Sequence, residues 1–79
     1  MVEVKRLAEK ILDFLHEEEE KRGRLNIPLA VLYKAFEKEA TYELVQQAVG
    51  FLVDRDFIAP FSYSLTAKGR RERALRQRT

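Results

Sequence analysis

The chain has 79 residues, enough for one small domain and too few for a second hydrophobic core. Hydrophobic residues make up 46% and charged residues 35% of it, which is typical of folded globular proteins and excludes a disordered chain. The lack of cysteine excludes disulfides, thiolate zinc sites and cysteine redox chemistry. No apolar run approaches the roughly 18 residues that a membrane-spanning helix needs, and the first residues lack a signal-peptide pattern. We therefore expect one domain, residues 1–79, that works in the cytoplasm and not in a membrane.

Positive charge is concentrated near the C-terminus. The net charge is only +2, yet residues 68–79 hold six cations and one carboxylate, a local charge of +5, whereas residues 1–67 carry −3. Such a basic block is typical of contact with nucleic acid or another anionic surface. The same cations also suit the C-terminal end of a helix, where the helix dipole favours positive charge. Many Glu, Lys and Arg residues beside one Met and no Cys also resemble thermophile composition.

Apolar residues recur at spacings of three and four near the start of the chain, which predicts an amphipathic helix over residues 2–21. Gly23 is expected to end this helix, because glycine readily adopts the left-handed conformation that follows many helices. The acidic run at residues 17–20 spreads around the helix axis, so we interpret it as a solvated helix end. The apolar face consists of Val4, Leu7, Ala8, Ile11, Leu12, Phe14 and Leu15.

A second helix is predicted to begin at Pro28, whose fixed φ suits a first helical turn. Val31 and Ala35 flank its apolar stripe, and a helix that is apolar on more than one side is expected at the centre of the core. The stripe consists of Leu29, Leu32, Tyr33 and Phe36.

A third helix is predicted after the four-residue link 37–40, with Thr41 as its N-cap. The short link predicts a tight turn between the second and third helices. The broad buried face of the third helix consists of Leu44, Val45, Ala48, Val49, Phe51 and Leu52.

Beyond residue 56 the apolar period changes from 3.6 to 2. This change predicts two short strands, residues 57–59 and 62–65, around a turn at Pro60 and Phe61. Thr66 is then expected to cap a last, basic helix.

The order helix, link, helix, tight turn, helix, hairpin is that of the winged helix-turn-helix fold. Phe57-Ile58 and the segment YSLTAKGR at residues 63–70 resemble the ending of winged-helix regulators of the MarR and PadR types from bacteria and archaea. The resemblance covers roughly residues 4–72. It implies a mainly α fold with a small β-hairpin: a three-helix core at about 4–66, a short wing, and a basic C-terminal helix and tail at 67–79. It also implies a transcriptional regulator that acts as a homodimer on double-stranded DNA.

By this resemblance the third helix, about residues 42–54, enters the major groove. Gln46 and Gln47 would pair with adenine N6 and N7, and Gly50 would let a DNA backbone approach closely. Thr41 and Tyr42 would lie at the phosphate-facing start of the helix. Its outward arc consists of Glu43, Gln46, Gln47, Gly50 and Asp54.

The outward arc carries no Lys or Arg, although phosphate neutralisation supplies much of the affinity of DNA-binding proteins. We therefore expect cations outside the arc to hold phosphates. About six such contacts would give a log-log dependence of affinity on salt near −5. The expected phosphate-binding residues are Lys34, Lys38, Arg55, Lys68, Arg70 and Arg71, with Arg22, Arg24 and the remaining tail to Arg78 as further candidates.

Two alternatives to duplex binding stay open. Glu43 and Asp54 on the arc favour a winged helix that serves as a protein-protein interaction module. The arginine tail alone would suit RNA or ribosome association. Phe61 stands where a wing tip usually has a cation, and three roles are open for it: folding back onto the hairpin, joining a dimer interface, or acting as a wedge in the minor groove.

No acid, base and nucleophile can be assembled from the sequence, so we expect no enzymatic activity, no cofactor and no metal. His16 is the only histidine and is interpreted as a surface residue. Ser62 and Ser64 have no base near them in the sequence, and three scattered glycines make no phosphate-binding loop.

Overall fold

The computed structural model describes residues 3–23, 27–60 and 64–77. Over these ranges the chain forms four helices: α1 (Val4–Arg22), α2 (Leu29–Phe36), α3 (Tyr42–Asp54) and α4 (Ala67–Gln77). Helices hold 74% of the described residues. The predictions for Arg24, Phe61, Ser62, Tyr63 and Arg78 lie outside the described residues.

The helix ends follow the local signals of the sequence. Gly23 ends α1 with φ of 64°, and its N–H donates to the carbonyl of Glu19 at 3.1 Å. Pro28 occupies the N-cap position of α2. Thr41 caps α3, because its Oγ1 accepts from the N–H of Leu44 at 3.1 Å. The predicted cap at Thr41 and the predicted stop at Gly23 are thereby confirmed, whereas Pro28, expected in the first turn of α2, lies just before its first helical residue, Leu29.

The core lies where α1 meets α3 and α2. Leu7 and Ile11 of α1 and Leu32 of α2 have no exposed surface. Phe14 and Phe36 meet edge to face, with ring centroids 5.8 Å apart, and join α1 to the end of α2. The other buried apolar residues are Ala8, Leu12, Leu15, Ile27, Val45, Ala48, Val49, Leu52, Ile58 and Leu65.

The expectation that α2 is the central helix is wrong. Only Leu32 and Phe36 of α2 are buried, whereas Ala35 is exposed. The central position belongs to α1, which packs against both α3 and α4. Its 19 residues are long enough to cover α3 with one side and α4 with another, whereas α2 has only 8 residues.

The predicted β-hairpin wing is wrong, and with it the assignment to the winged helix-turn-helix fold. No strand forms among the residues described on either side of the chain reversal, where Ile58 and Leu65 make one isolated antiparallel bridge. Asp56, with φ of 61°, turns the chain before this bridge. Pro60 lacks the N–H that would extend the pairing. The described fold is a small helical bundle in which a chain reversal links α3 to α4.

The first turn of α4 is anchored to this chain reversal. Thr66 Oγ1 accepts from the N–H of Gly69 at 3.0 Å and donates to the carbonyl of Asp56 at 2.5 Å. A Cβ at Gly69 would lie 2.0 Å from the carbonyl oxygen of Phe57, so only glycine allows this close approach. The predicted cap at Thr66 is confirmed.

The rest of α4 runs antiparallel to α1. Arg70, near the start of α4, pairs with Glu19, whereas Arg76, further along, pairs with Asp13. Among the described parts of the chain, no helix is both long enough and apolar enough to cross a membrane.

Candidate functional site

The outward arc of α3 is exposed over its whole length. Its opposite face is buried against the core through Val45, Ala48, Val49 and Leu52. The side chains that the sequence assigned to base contacts are therefore accessible. The exposed residues of the arc are Glu43, Gln46, Gln47, Gly50 and Asp54.

Gly50 leaves an opening in the middle of this arc. A Cβ added at Gly50 would meet no atom of the described residues within 4 Å beyond its chain neighbours and the nearby backbone of α3, in contrast to Gly69. Packing within the chain therefore gives no reason for glycine at position 50. Close approach of the backbone of another molecule to α3 at this point would explain the glycine.

A groove lies between α2 and the start of α3, and we call it the α2–α3 groove. Its volume is about 480 Å³. Tyr42, at its edge, is 62% exposed, and its ring centroid lies 3.8 Å from that of Tyr33, with the ring planes inclined by 32°. The groove is lined by Ala30, Tyr33, Lys34, Glu37, Ala40, Thr41, Tyr42 and Val45.

Two cations of the helix pair are available at the surface. Lys34 lines the α2–α3 groove and Lys38 lies in the turn, and both are exposed and form no ion pair with another described residue. Glu39, which follows Lys38 in the turn, instead forms an ion pair with Lys10 of α1, with 2.5 Å between Nζ and Oε1. The structure therefore brings Lys34 together with Thr41 and Tyr42 in one groove.

Arg55 follows the last residue of α3 and is exposed. Its guanidinium carbon lies 3.6 Å from the centroid of the Phe51 ring, a cation–π arrangement that fixes the side chain near the end of α3. Arg55 also lines the groove between α1, the end of α3 and α4.

Three arginines of α4 have carboxylate partners on α1. Arg70 pairs with Glu19, and Asp13 accepts from Arg73 Nε at 3.1 Å and from Arg76 at 2.5 Å. These contacts neutralise much of the basic block. Arg70, expected at a phosphate, is held by α1 instead of lying with the outward arc.

The other two cations predicted on α4 are exposed. Lys68 has its Nζ 5.7 Å from the centroid of the Phe57 ring. Arg71 forms no ion pair with any residue that the structure describes. Both are available to an anion, although Lys68 is drawn toward the chain reversal.

Sequence reasoning missed two features of this surface. It placed Tyr33 in the core and Tyr42 at a phosphate, but the tight turn brings their rings into contact. It also missed the arginine stripe at residues 70, 73 and 76. The three-residue spacing of that stripe and the −3 charge of the remaining chain were the available signals.

A second groove, of about 340 Å³, lies between α1, the end of α3 and α4. Leu12, Phe51 and Phe57 form its apolar floor, and its rim carries both cations and carboxylates. Because the rim carries charges of both signs, it favours neither an anionic nor a cationic ligand. Within the described ranges, no three His, Cys, Asp or Glu residues are grouped so that they would hold a metal ion, and His16 is half-buried on α1.

No protein-family model, no curated protein and no solved structure matches this chain.

Proposed function

We propose that this protein binds double-stranded DNA through the outward arc of α3 and acts in the cytoplasm as a transcriptional regulator. The observation that carries the proposal is the exposure of Gln46, Gln47 and Gly50 on one helix face. A glutamine amide has a donor and an acceptor side by side and so matches the N6 and N7 atoms of adenine in the major groove, which is wide enough for an α-helix. Gly50 lets a sugar-phosphate backbone approach α3.

Phosphate contacts in this proposal come from the helix pair. Lys34 and Lys38 stand beside the start of α3, and Arg55 stands at its end. The hydroxyls of Thr41 and Tyr42 supply neutral donors at the start. Because Arg70 is engaged by Glu19, and Lys68 and Arg71 lie on α4 outside the helix pair, about three cations neutralise phosphates. The expected slope of log affinity against log salt is therefore about −3 instead of −5.

Two-fold pairing of the protein belongs to the same proposal. A dimer places two α3 helices on successive major grooves and matches a palindromic DNA site. Leu75, 52% exposed on α4, supplies an apolar contact for a second copy.

The test is a selection of bound sequences from random duplex DNA, followed by titration of the selected site at several salt concentrations. Combined Gln46→Ala and Gln47→Ala substitution is expected to weaken binding to the selected site by roughly 5- to 150-fold per lost base contact while leaving binding to random duplex unchanged. Glu20→Ala, at the exposed end of α1, is the matched control and is expected to change neither. No binding of wild-type protein to any duplex at low salt would remove the proposal.

A protein partner is the second candidate, and the charge of the arc favours it. Glu43 and Asp54 place a carboxylate near each end of α3, and no cation lies between them. Such a surface suits a partner with a complementary basic patch.

Neutralising the two carboxylates separates the candidates. If α3 lies on DNA, Glu43→Gln combined with Asp54→Asn removes repulsion from phosphates and tightens duplex binding, by up to roughly tenfold per charge at low salt. Glu20→Gln on α1 is the control for net charge. Unchanged duplex affinity in the double variant would instead place the DNA away from this arc and favour the protein partner.

A further inference from the structure

Tyr33 and Tyr42 form a stacked pair, and contact with duplex DNA does not explain why their rings are stacked. A phosphate contact needs only the hydroxyl of Tyr42, yet its ring is stacked on Tyr33 with 3.8 Å between centroids. Tyr33 covers one face of that ring, and 62% of Tyr42 is still exposed. The open side of the Tyr42 ring is therefore a flat aromatic surface with a fixed backing.

Polar groups of two kinds line the groove beside this ring. Lys34 supplies a positive charge that is not taken up by an ion pair with any described residue, and Glu37 supplies a carboxylate. The groove volume of about 480 Å³ lies in the range of small-molecule sites. An aromatic face, a cation and a hydrogen-bond acceptor are the groups that bind a base together with its phosphate.

We propose that the α2–α3 groove binds an unpaired nucleobase of a single-stranded nucleic acid, stacked on the open face of Tyr42 with its phosphate at Lys34. Bases bind to aromatic side chains in this way because every base has a flat π surface, whereas the bases of a duplex are already stacked on each other. This site is separate from base reading by Gln46 and Gln47, and it does not require the proposed duplex binding.

Glu37 gives the groove a preference among bases. A carboxylate accepts a hydrogen bond from the exocyclic amino group of cytosine, whereas thymine has the carbonyl oxygen O4 at that position and donates only from its ring N3–H. Cytosine and thymine have rings of the same size, so a preference for cytosine isolates the contribution of Glu37.

The test uses labelled hexanucleotides of deoxycytidine and of thymidine, titrated by fluorescence anisotropy. Tyrosine emission is a second signal, because the chain has three tyrosines and no tryptophan. Tyr42→Ala is expected to weaken binding of the cytidine hexamer by roughly 5- to 150-fold, the range for loss of one base–aromatic stack. Glu20→Ala, at the exposed end of α1, is the control and is expected to bind as wild type.

Tyr42→Phe separates this site from the duplex proposal. It keeps the ring and removes the hydroxyl, so hexamer binding stays within about twofold while a phosphate contact on duplex DNA is lost. Conversely, the Gln46 and Gln47 double substitution leaves hexamer binding unchanged. Failure of duplex binding with intact hexamer binding would thus remove the proposed function and leave the single-strand site in place.

Further variants test the polar groups. Lys34→Ala is expected to lower hexamer affinity and to reduce its salt slope by about 0.7, the value for one phosphate on a single strand. Glu37→Ala is expected to abolish the preference for cytidine over thymidine. A ribocytidine hexamer distinguishes RNA from DNA as the strand that is bound.

The site is overturned if wild-type protein binds neither hexamer, or if Tyr42→Ala, folded as judged by circular dichroism, binds as wild type. Equal affinity of wild type for both hexamers would overturn the role of Glu37.

Discussion

At the scale of single residues, two glycines of this chain are expected to respond in opposite ways to the same substitution. A Cβ at Gly69 would lie 2.0 Å from the carbonyl oxygen of Phe57, whereas a Cβ at Gly50 would meet no described atom within 4 Å outside the nearby chain of α3. The first glycine serves tight packing between α4 and the chain reversal. The second lies inside α3, where glycine is a poor helix former.

We expect Gly69→Ala to lower the free energy of unfolding by about 1–3 kcal/mol, because backbone must move to admit the methyl group. Gly50→Ala is expected to raise it by about 0.5–1 kcal/mol through improved helix propensity. Urea unfolding followed by circular dichroism measures both. If Gly50→Ala also weakens duplex binding, the gain in stability shows that the loss comes from the DNA contact and not from misfolding.

At the scale of helices, α4 differs from the others in what holds it. Apart from Gly69, none of its described side chains is buried, and Leu75 is exposed. Contact with α1 instead depends on Asp13, which binds both Arg73 and Arg76, and on Glu19, which binds Arg70. Ion pairs thus hold most of α4 against α1, whereas apolar packing holds α1 against α3.

We therefore expect Asp13→Asn to speed amide hydrogen exchange in α4 by up to about fivefold, since exposed ion pairs are each worth about 1 kcal/mol or less. Exchange in α1 and α3 should not change, because their contact is apolar. In 1 M salt the wild type should approach the variant, since screening weakens the same pairs. Equal exchange in α4 of both proteins at low salt would show that Asp13 does not hold the helix.

At the scale of the whole molecule, ion pairs link helices that are distant in sequence. Lys10 joins α1 to Glu39 in the turn after α2, and Asp13 joins α1 to α4. Such links become relatively more favourable as temperature rises, because the cost of desolvating charges falls. Their presence agrees with a composition rich in Glu, Lys and Arg.

We expect thermal unfolding in a single transition with a midpoint above about 60 °C, near the upper end for mesophilic domains. Differential scanning calorimetry measures the midpoint, and 1 M salt should lower it by screening the ion pairs. A midpoint below about 60 °C at low salt would contradict the comparison with thermophile composition.

The chain reversal between α3 and α4 is the part of the fold that local sequence patterns predicted wrongly. A short apolar run at 57–59 and an alternation of polar and apolar residues at 62–65 predicted two strands, and that prediction was wrong. Asp56 and Pro60 leave too few residues between them for a ladder, so the described residues form only the bridge between Ile58 and Leu65. A short run can show the two-residue period of a strand and still have too few residues to form the hydrogen bonds of a β-ladder.

The sequence by itself determined where α1 ends and where α3 and α4 begin, because Gly23, Thr41 and Thr66 act through dihedral angles and hydrogen bonds to residues within four positions. It also determined which face of α3 is exposed, since the helical period alone separates Gln46 and Gln47 from the apolar side. Only the tertiary structure decided which charges remain available. Arg70, Arg73 and Arg76 of α4 meet carboxylates 51 to 63 positions away. Such pairs form only when two helices pack side by side, and no local pattern of residues specifies that contact.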